Sequence, residues 1–174
     1  MLLKMKNIFC ISLFGLILMA CEPQSKPPIN KVPDAKELVE MNKAMIKAER
    51  IQIDKFIERK GWKMEETGSG LRFWQYWDGF GDSIRVGQEV EMNLIVTLLN
   101  GDTCYSYKSY GSEKFVVERQ SMETGLHEAV QLMQRGAKAK VILPSHLAHG
   151  VTGDMNKIPQ RSTVIYDVEI LDVK

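Results

Sequence analysis

At Gly61 the hydrophobic period of the chain changes from that of a helix to that of a strand, which points to a long helix followed by a sheet. Residues 34–60 contain no Gly or Pro, Asp34 after Pro33 is a good N-cap, and Gly61 supplies a stop. A helix of that length runs about 40 Å at 1.5 Å per residue. Its apolar residues, Leu38, Met41, Met45, Ala48, Ile53, Phe56 and Ile57, form a rough stripe and not a clean heptad. The stripe suits a spacer or packing against the rest of the chain; a homodimer through residues 34–60 is the other reading.

Beyond Gly61, alternation takes over. Trp62-Lys63-Met64 and Leu71-Arg72-Phe73-Trp74 flank Thr67-Gly68-Ser69-Gly70, the pattern of a hairpin, with residues 61–86 as a leading hairpin and connector. Val90, Met92, Leu94, Val96 and Leu98 alternate with Glu89, Glu91, Asn93, Ile95 and Thr97, so one face of that strand is buried. Asn100-Gly101 turns the chain into Thr103–Ser106, and a short strand follows at Lys114–Val117. Met122, Leu126, Ala129, Val130 and Met133 fall at helical spacing, predicting a helix over Ser121–Gln134. Strand alternation returns at Ala137–Leu143 and closes the chain at Val164–Ile170, around a polar, glycine-bearing loop from Pro144 to Gln160. These elements predict an α+β domain over residues 87–174, a half-open antiparallel sheet wrapped around one short helix and preceded by the long N-terminal helix.

The formal charge of +1 gives no footprint for a nucleic-acid partner. Three cysteines with no CxxC spacing exclude a disulfide framework, and His127 falls on a different element from His146 and His149, with no paired carboxylate, so no metal site is expected. At the N-terminus, Lys4 and Lys6 precede an apolar run from Ile8 to Met19, too short to span a bilayer core of about 30 Å. Leu18-Met19-Ala20-Cys21 is similar to a bacterial lipobox, which implies a leader over residues 1–20 and a lipid on Cys21. Residues 21–33, rich in Pro and polar groups, form a tether. Glu22 follows Cys21 where an aspartate would signal inner-membrane retention, so the expected place is the outer membrane, facing the periplasm.

Taken together, Gly125-Leu126, Gly136, Ala139–Ser145, Leu147-Ala148-His149-Gly150, Ile158-Pro159 and Val164–Ile170 stand in an order that resembles the FK506-binding-protein (FKBP) type of peptidyl-prolyl isomerase. With the lipobox, the N-terminal helix and Leu98–Asp102, the chain is more similar still to gliding-motility-associated lipoproteins of that family. The resemblance implies a prolyl pocket between sheet and helix, rimmed by Pro144–Gln160. Matched position by position, it implies catalytic roles for His149, Tyr166, Leu126 and Ile158, and substrate contacts from Leu94, Cys104, Tyr105, Phe115 and Met122. Leu126 replaces the family's floor aromatic and His149 its loop tyrosine; Leu94 and Tyr105 replace its tyrosine–aspartate pair, and Cys104 the phenylalanine before that aspartate.

Rotation about an X–Pro bond faces a barrier of about 18–20 kcal/mol because amide resonance must be broken. The planar ground state is more dipolar than the twisted transition state, so an apolar, water-free pocket disfavours the ground state selectively. A rim donor, here expected to be His149, holds a neighbouring carbonyl while the bond turns. No nucleophile, metal or cofactor is needed for this. The expected function is a membrane-tethered prolyl isomerase acting on proline-containing segments of exported proteins. A low-activity chaperone of the same fold, or an accessory of the gliding or secretion machinery, is the alternative.

Overall fold

The computed structural model describes residues 33–174. The expected leader and nearly all of the expected tether, Cys21 included, lie outside the described residues. The first helix, α1 (Ala35–Lys60), starts at a capping box: Asp34 accepts from the Glu37 N–H at 2.8 Å, and the Glu37 carboxylate accepts from the Asp34 N–H at 3.0 Å. It ends at Gly61 in the left-handed conformation.

The sheet follows as β1 (Glu65–Glu66), β2 (Arg72–Trp77), β3 (Glu89–Leu98), β4 (Thr103–Ser106), β5 (Glu113–Val116), β6 (Lys138–Leu143) and β7 (Val164–Val173). Its order is β1-β2-β6-β7-β3-β4, every pair antiparallel, with β5 also pairing the N-terminal half of β3. The helices α2 (Tyr107–Tyr110) and α3 (Thr124–Gln131) interrupt it, and a 3-10 turn at Ser145–Leu147 opens the rim loop.

Period-two patterning assigns each strand residue to a face. Val90, Met92, Leu94 and Val96 of β3, Val141 and Leu143 of β6, and Val164, Tyr166 and Val168 of β7 bury the face that carries α3. From α3 the stripe Leu126, Ala129, Val130 and Met133 completes this core. The helix can approach β6 closely because residue 125 is Gly: a Cβ there would stand 2.5 Å from a Leu143 methyl.

The opposite face holds α1. Ile53 and Phe56 pack on Ile142 and Ile165, one residue out of phase with the inner set, with Trp62 and Leu99 at the margin. Two polar clamps hold the helix there. Arg72, 4% exposed, donates to Asp54 of α1, to the Gly70 carbonyl, and pairs with Glu66 of β1. The Glu49 carboxylate accepts from the backbone N–H and hydroxyl of Ser145 and from the Thr163 hydroxyl. The C-terminal half of α1 is thus a packing element, whereas Leu38, Met41 and Met45 of the stripe's N-terminal half stay exposed.

Three local expectations are corrected. The hairpin pairs Glu65 with Phe73 and Glu66 with Arg72, not Trp62–Met64 with β2; Trp62 leaves the ladder to pack edge-on against Phe56. The Ser121–Gln134 helix is shorter at both ends, because Glu123 has extended backbone and Leu132 and Met133 close the last turn through bonds to Ala129 and Val130. The short α2, capped by the Ser106 hydroxyl, was not expected at all.

Candidate active site

A cleft of about 470 Å³ opens between β3, β4, the start of α3 and the rim loop. Alternation on β3 puts Leu94 and Val96 on the same side, and the β3–β7 register sets Tyr166 directly across from Val96. Tyr166 is 2% exposed and forms the floor; Ile158 descends from the rim loop and Met122 from the segment before α3. These side chains make an apolar bottom.

A polar wall stands beside it. The Tyr105 hydroxyl makes a short hydrogen bond to Oδ2 of Asp154 and accepts from the Asn156 side chain at 3.2 Å. The other Asp154 oxygen accepts from the N–H groups of Ile158 at 2.8 Å and Asn156 at 2.9 Å, which shapes the loop tip. Burial pushes the Asp154 carboxyl up, but the Tyr105 hydroxyl, these two N–H groups and the charge of His149 outweigh it and hold the group below its ordinary value. The same bond raises the Tyr105 phenol. At the outer edge the Lys157 ammonium donates to the Tyr110 hydroxyl at 3.0 Å and lies 5.2 and 5.3 Å from the ring centres of Tyr105 and Tyr110.

At the back, Glu123 occupies the N-cap position of α3, yet its side chain makes no capping bond. It turns to the cleft, where Oε1 lies 2.9 Å from Nε2 of His149. Oε2 is buried without a hydrogen-bond partner among the described residues. Burial, and then the nearby Glu123 carboxylate, push the Tyr166 phenol well above its ordinary range.

Of the residues expected from the sequence, Leu94, Tyr105, Met122, His149, Ile158 and Tyr166 line this cleft. Three others do not. Leu126 belongs to the α3 stripe that faces the sheet and is fully buried in the core. Phe115 pairs with Val90, several residues along β3 from Leu94, and packs edge-on to the His127 ring. Cys104 points away from Tyr105 into the core, its thiol raised by burial and by the Asp154 and Asp102 carboxylates and 3.5 Å from the Lys157 carbonyl. His149 also differs from expectation: its Nε2 faces Glu123 and is not a free donor at the rim.

A tyrosine–aspartate pair expected to be absent is present, rebuilt from Tyr105 on β4 and Asp154 on the rim loop. His127 instead ties the segment before α3, accepting from the Glu118 N–H and contacting the Gln120 carbonyl, while His146 contacts the Ser69 carbonyl. Val96, Glu123, Asp154 and Asn156 were not anticipated as site residues. Val96 shares the alternation of Leu94 and so left a signal; Glu123, in the polar run from Glu118 to Thr124, and the loop residues left none.

The sequence profile described as FKBP-type peptidyl-prolyl cis-trans isomerase matches residues 81–171. Over 119 residues the chain is 31% identical to the FKBP-type peptidyl-prolyl cis-trans isomerase FkpA of Buchnera aphidicola from Acyrthosiphon pisum, a match covering 68% of this chain and 47% of the relative. The chain spans about half the length of the curated relatives it matches. Its fold is similar to the crystal structure of FkpA from Escherichia coli, with a TM-score of 0.62 at 25% identity over 83% of this chain and 74% of that one. It is also similar in fold to a peptidyl-prolyl cis-trans isomerase of Pseudomonas syringae, with a TM-score of 0.63 at 24% identity over 76% of this chain and 95% of that one.

Proposed function

This chain belongs to the FKBP-type peptidyl-prolyl cis-trans isomerase family, and from that premise we propose that it catalyses the rotation of X–Pro bonds in exported proteins while tethered to a membrane through lipidated Cys21. The observation that carries the reading is the cleft floor. Tyr166, Ile158, Leu94, Val96 and Met122 offer a proline ring an apolar seat. Water excluded there no longer stabilises the dipolar planar amide, and the barrier falls; each 1.36 kcal/mol gained is about tenfold in rate. Asp154, bound by Tyr105 and two backbone N–H groups, holds the rim loop that delivers Ile158.

The lipobox before Cys21 supports the tether, and Glu22 supports placement in the outer membrane, facing the periplasm. A role beside the gliding-motility or secretion machinery rests on the resemblance carried by the lipobox, the N-terminal helix, Leu98–Asp102 and His146–Gly150. Homodimer formation through residues 34–60 rests on the exposed apolar residues of the N-terminal half of α1.

The deciding experiment is a proline-limited refolding assay with the full chain in detergent micelles. Acceleration of the slow phase supports the proposal, and refolding at the uncatalysed rate overturns it. One observation favours a second reading as a module that grips proline segments without turnover: Nε2 of His149, the residue expected to hold the substrate carbonyl, is already engaged by Glu123.

A further inference from the structure

The His149 ring reaches the cleft with one nitrogen taken and one free. Nε2 lies 2.9 Å from Oε1 of Glu123, while Nδ1 bonds no described residue and is not sealed from solvent. The side chain is 22% exposed and lines the cleft. A neutral imidazole has one donor and one acceptor nitrogen, and a carboxylate only accepts. Nε2 therefore carries the hydrogen, and Nδ1 is left with a lone pair.

Glu123 is well placed to impose this. Its Oε2 is shut away from solvent, and the Tyr166 phenol shares the same carboxylate, so it does not exchange His149 for water. A carbonyl beside the substrate proline needs a donor at the rim, and the Nδ1 lone pair repels it. Only the imidazolium has a hydrogen on both nitrogens. Glu123 and Tyr166 face the ring from the segment before α3 and from β7; Asp154 on the rim loop, Glu113 on β5 and Tyr105 on β4 complete the titratable wall. Asp154, held below its ordinary value, and the raised phenols of Tyr105 and Tyr166 keep their charge state between acid-neutral and mildly basic pH.

We infer that Glu123 is a positioning residue that fixes His149 in the Nε2–H form, so that the rim offers a substrate carbonyl a donor only when the imidazole is protonated. This rests on the cleft being the prolyl site, as proposed above. Isomerisation then speeds up on acidification. In Glu123→Gln the amide oxygen still takes the Tyr166 O–H while the amide N–H donates to Nε2, which moves the ring hydrogen to Nδ1.

The test uses the full chain in detergent micelles with ¹⁵N-labelled histidine. Two-bond ¹⁵N–¹H spectra distinguish the ring forms, and the His149 signals are those lost in His149→Gln. Wild type is expected to show a neutral Nε2–H ring at about pH 8 and an imidazolium at about pH 5. A ring carrying hydrogen on Nδ1 at pH 8, or one still bare there at pH 5, would overturn the inference without any variant at Glu123. In parallel, kcat/KM for a proline peptide should rise about tenfold from pH 8 to pH 5, the worth of one hydrogen bond. His149→Gln should flatten the profile, and Glu123→Gln should raise the activity at pH 8 toward its acid value. Catalysis by wild type with no pH dependence would overturn the inference, as would a folded Glu123→Gln protein that keeps the wild-type ring form and profile. Uncatalysed rates at every pH would instead refute the isomerase reading, and the ring form at pH 8 would still decide what Glu123 does.

Discussion

Glu49, on the N-terminal helix, accepts a 2.7 Å hydrogen bond from the backbone N–H of Ser145, the residue at which the rim loop of the cleft begins. Its two oxygens also take the hydroxyls of Ser145 at 3.0 Å and Thr163 at 2.7 Å, so one carboxylate ties α1 to both roots of that loop. Glu49→Ala leaves the Ser145 N–H without its acceptor, which costs about 2–3 kcal/mol. The melting temperature is expected to fall by about 5 °C or more. Differential scanning calorimetry checks this, and an unchanged melting temperature would show that the helix is not a structural part of the rim.

Gly153 is the rim position least able to accept a side chain. Its φ is +69°, and a Cβ would stand 2.3 Å from the Ile158 carbonyl oxygen, inside the loop that delivers Ile158 to the cleft. Gly153→Ala is expected to destabilise by more than about 2 kcal/mol, because strain adds to the left-handed backbone cost. Gly150 also has positive φ, +61°, but open space around it, so Gly150→Ala should cost only about 1 kcal/mol. Urea unfolding of the two variants gives the order directly. Equal costs would mean that the Ile158 carbonyl moves aside freely.

Asp154 confers an acid sensitivity on the rim loop. Its carboxyl is held below the ordinary value despite burial, because Tyr105, two N–H groups and His149 all favour the charged form. A depressed carboxyl contributes stability above its unfolded value of about 3.9 and loses it as pH falls through the lower folded value. Asp154→Asn should therefore be less stable than wild type at neutral pH, and the gap should close in strong acid. Stability curves of both proteins from pH 7 down to about pH 2 test the sign. A gap that widens on acidification would contradict it.

Tyr166→Ala should open the floor of the cleft to water. Removing so large a buried ring costs about 3–5 kcal/mol of stability, and isomerisation of a proline peptide should fall at least tenfold. Circular dichroism establishes whether the variant is folded. A folded Tyr166→Ala protein with wild-type turnover would remove the apolar floor from the mechanism.

Cys21 is expected to carry lipid. Cells fed a clickable palmitate should label the wild-type protein and leave Cys21→Ser unlabelled and released from membranes. The several acyl chains of such an anchor, at about 0.8 kcal/mol per buried CH₂, make the difference in partitioning large. A Cys21→Ser protein that remains labelled would sink the tether.

Much of the architecture was legible because it depends on periodicity. Val90 to Leu98 and Val164 to Ile170 alternate, Leu126 to Met133 repeats at helical spacing, and the Asp34 and Gly61 caps mark the ends of α1. Local chemistry of this kind acts within a few residues and is written along the chain. The burial of Ile53 and Phe56 beneath the sheet was less so, since the stripe on α1 continues into exposed Leu38 and Met41 with no change of character.

The sequence by itself determined the α+β class, the long capped helix and the set of apolar residues from which the floor of the cleft is drawn. Tertiary structure alone decided the polar half of the site. Tyr105 and Asp154 are 49 residues apart, Glu49 and Ser145 are 96 apart, and Glu123 meets His149 across the mouth of a helix and a loop. Such pairs carry no period, and nothing along the chain matches one member to the other. Only folding brings them within hydrogen-bond distance and strips away the water that would otherwise compete for each group.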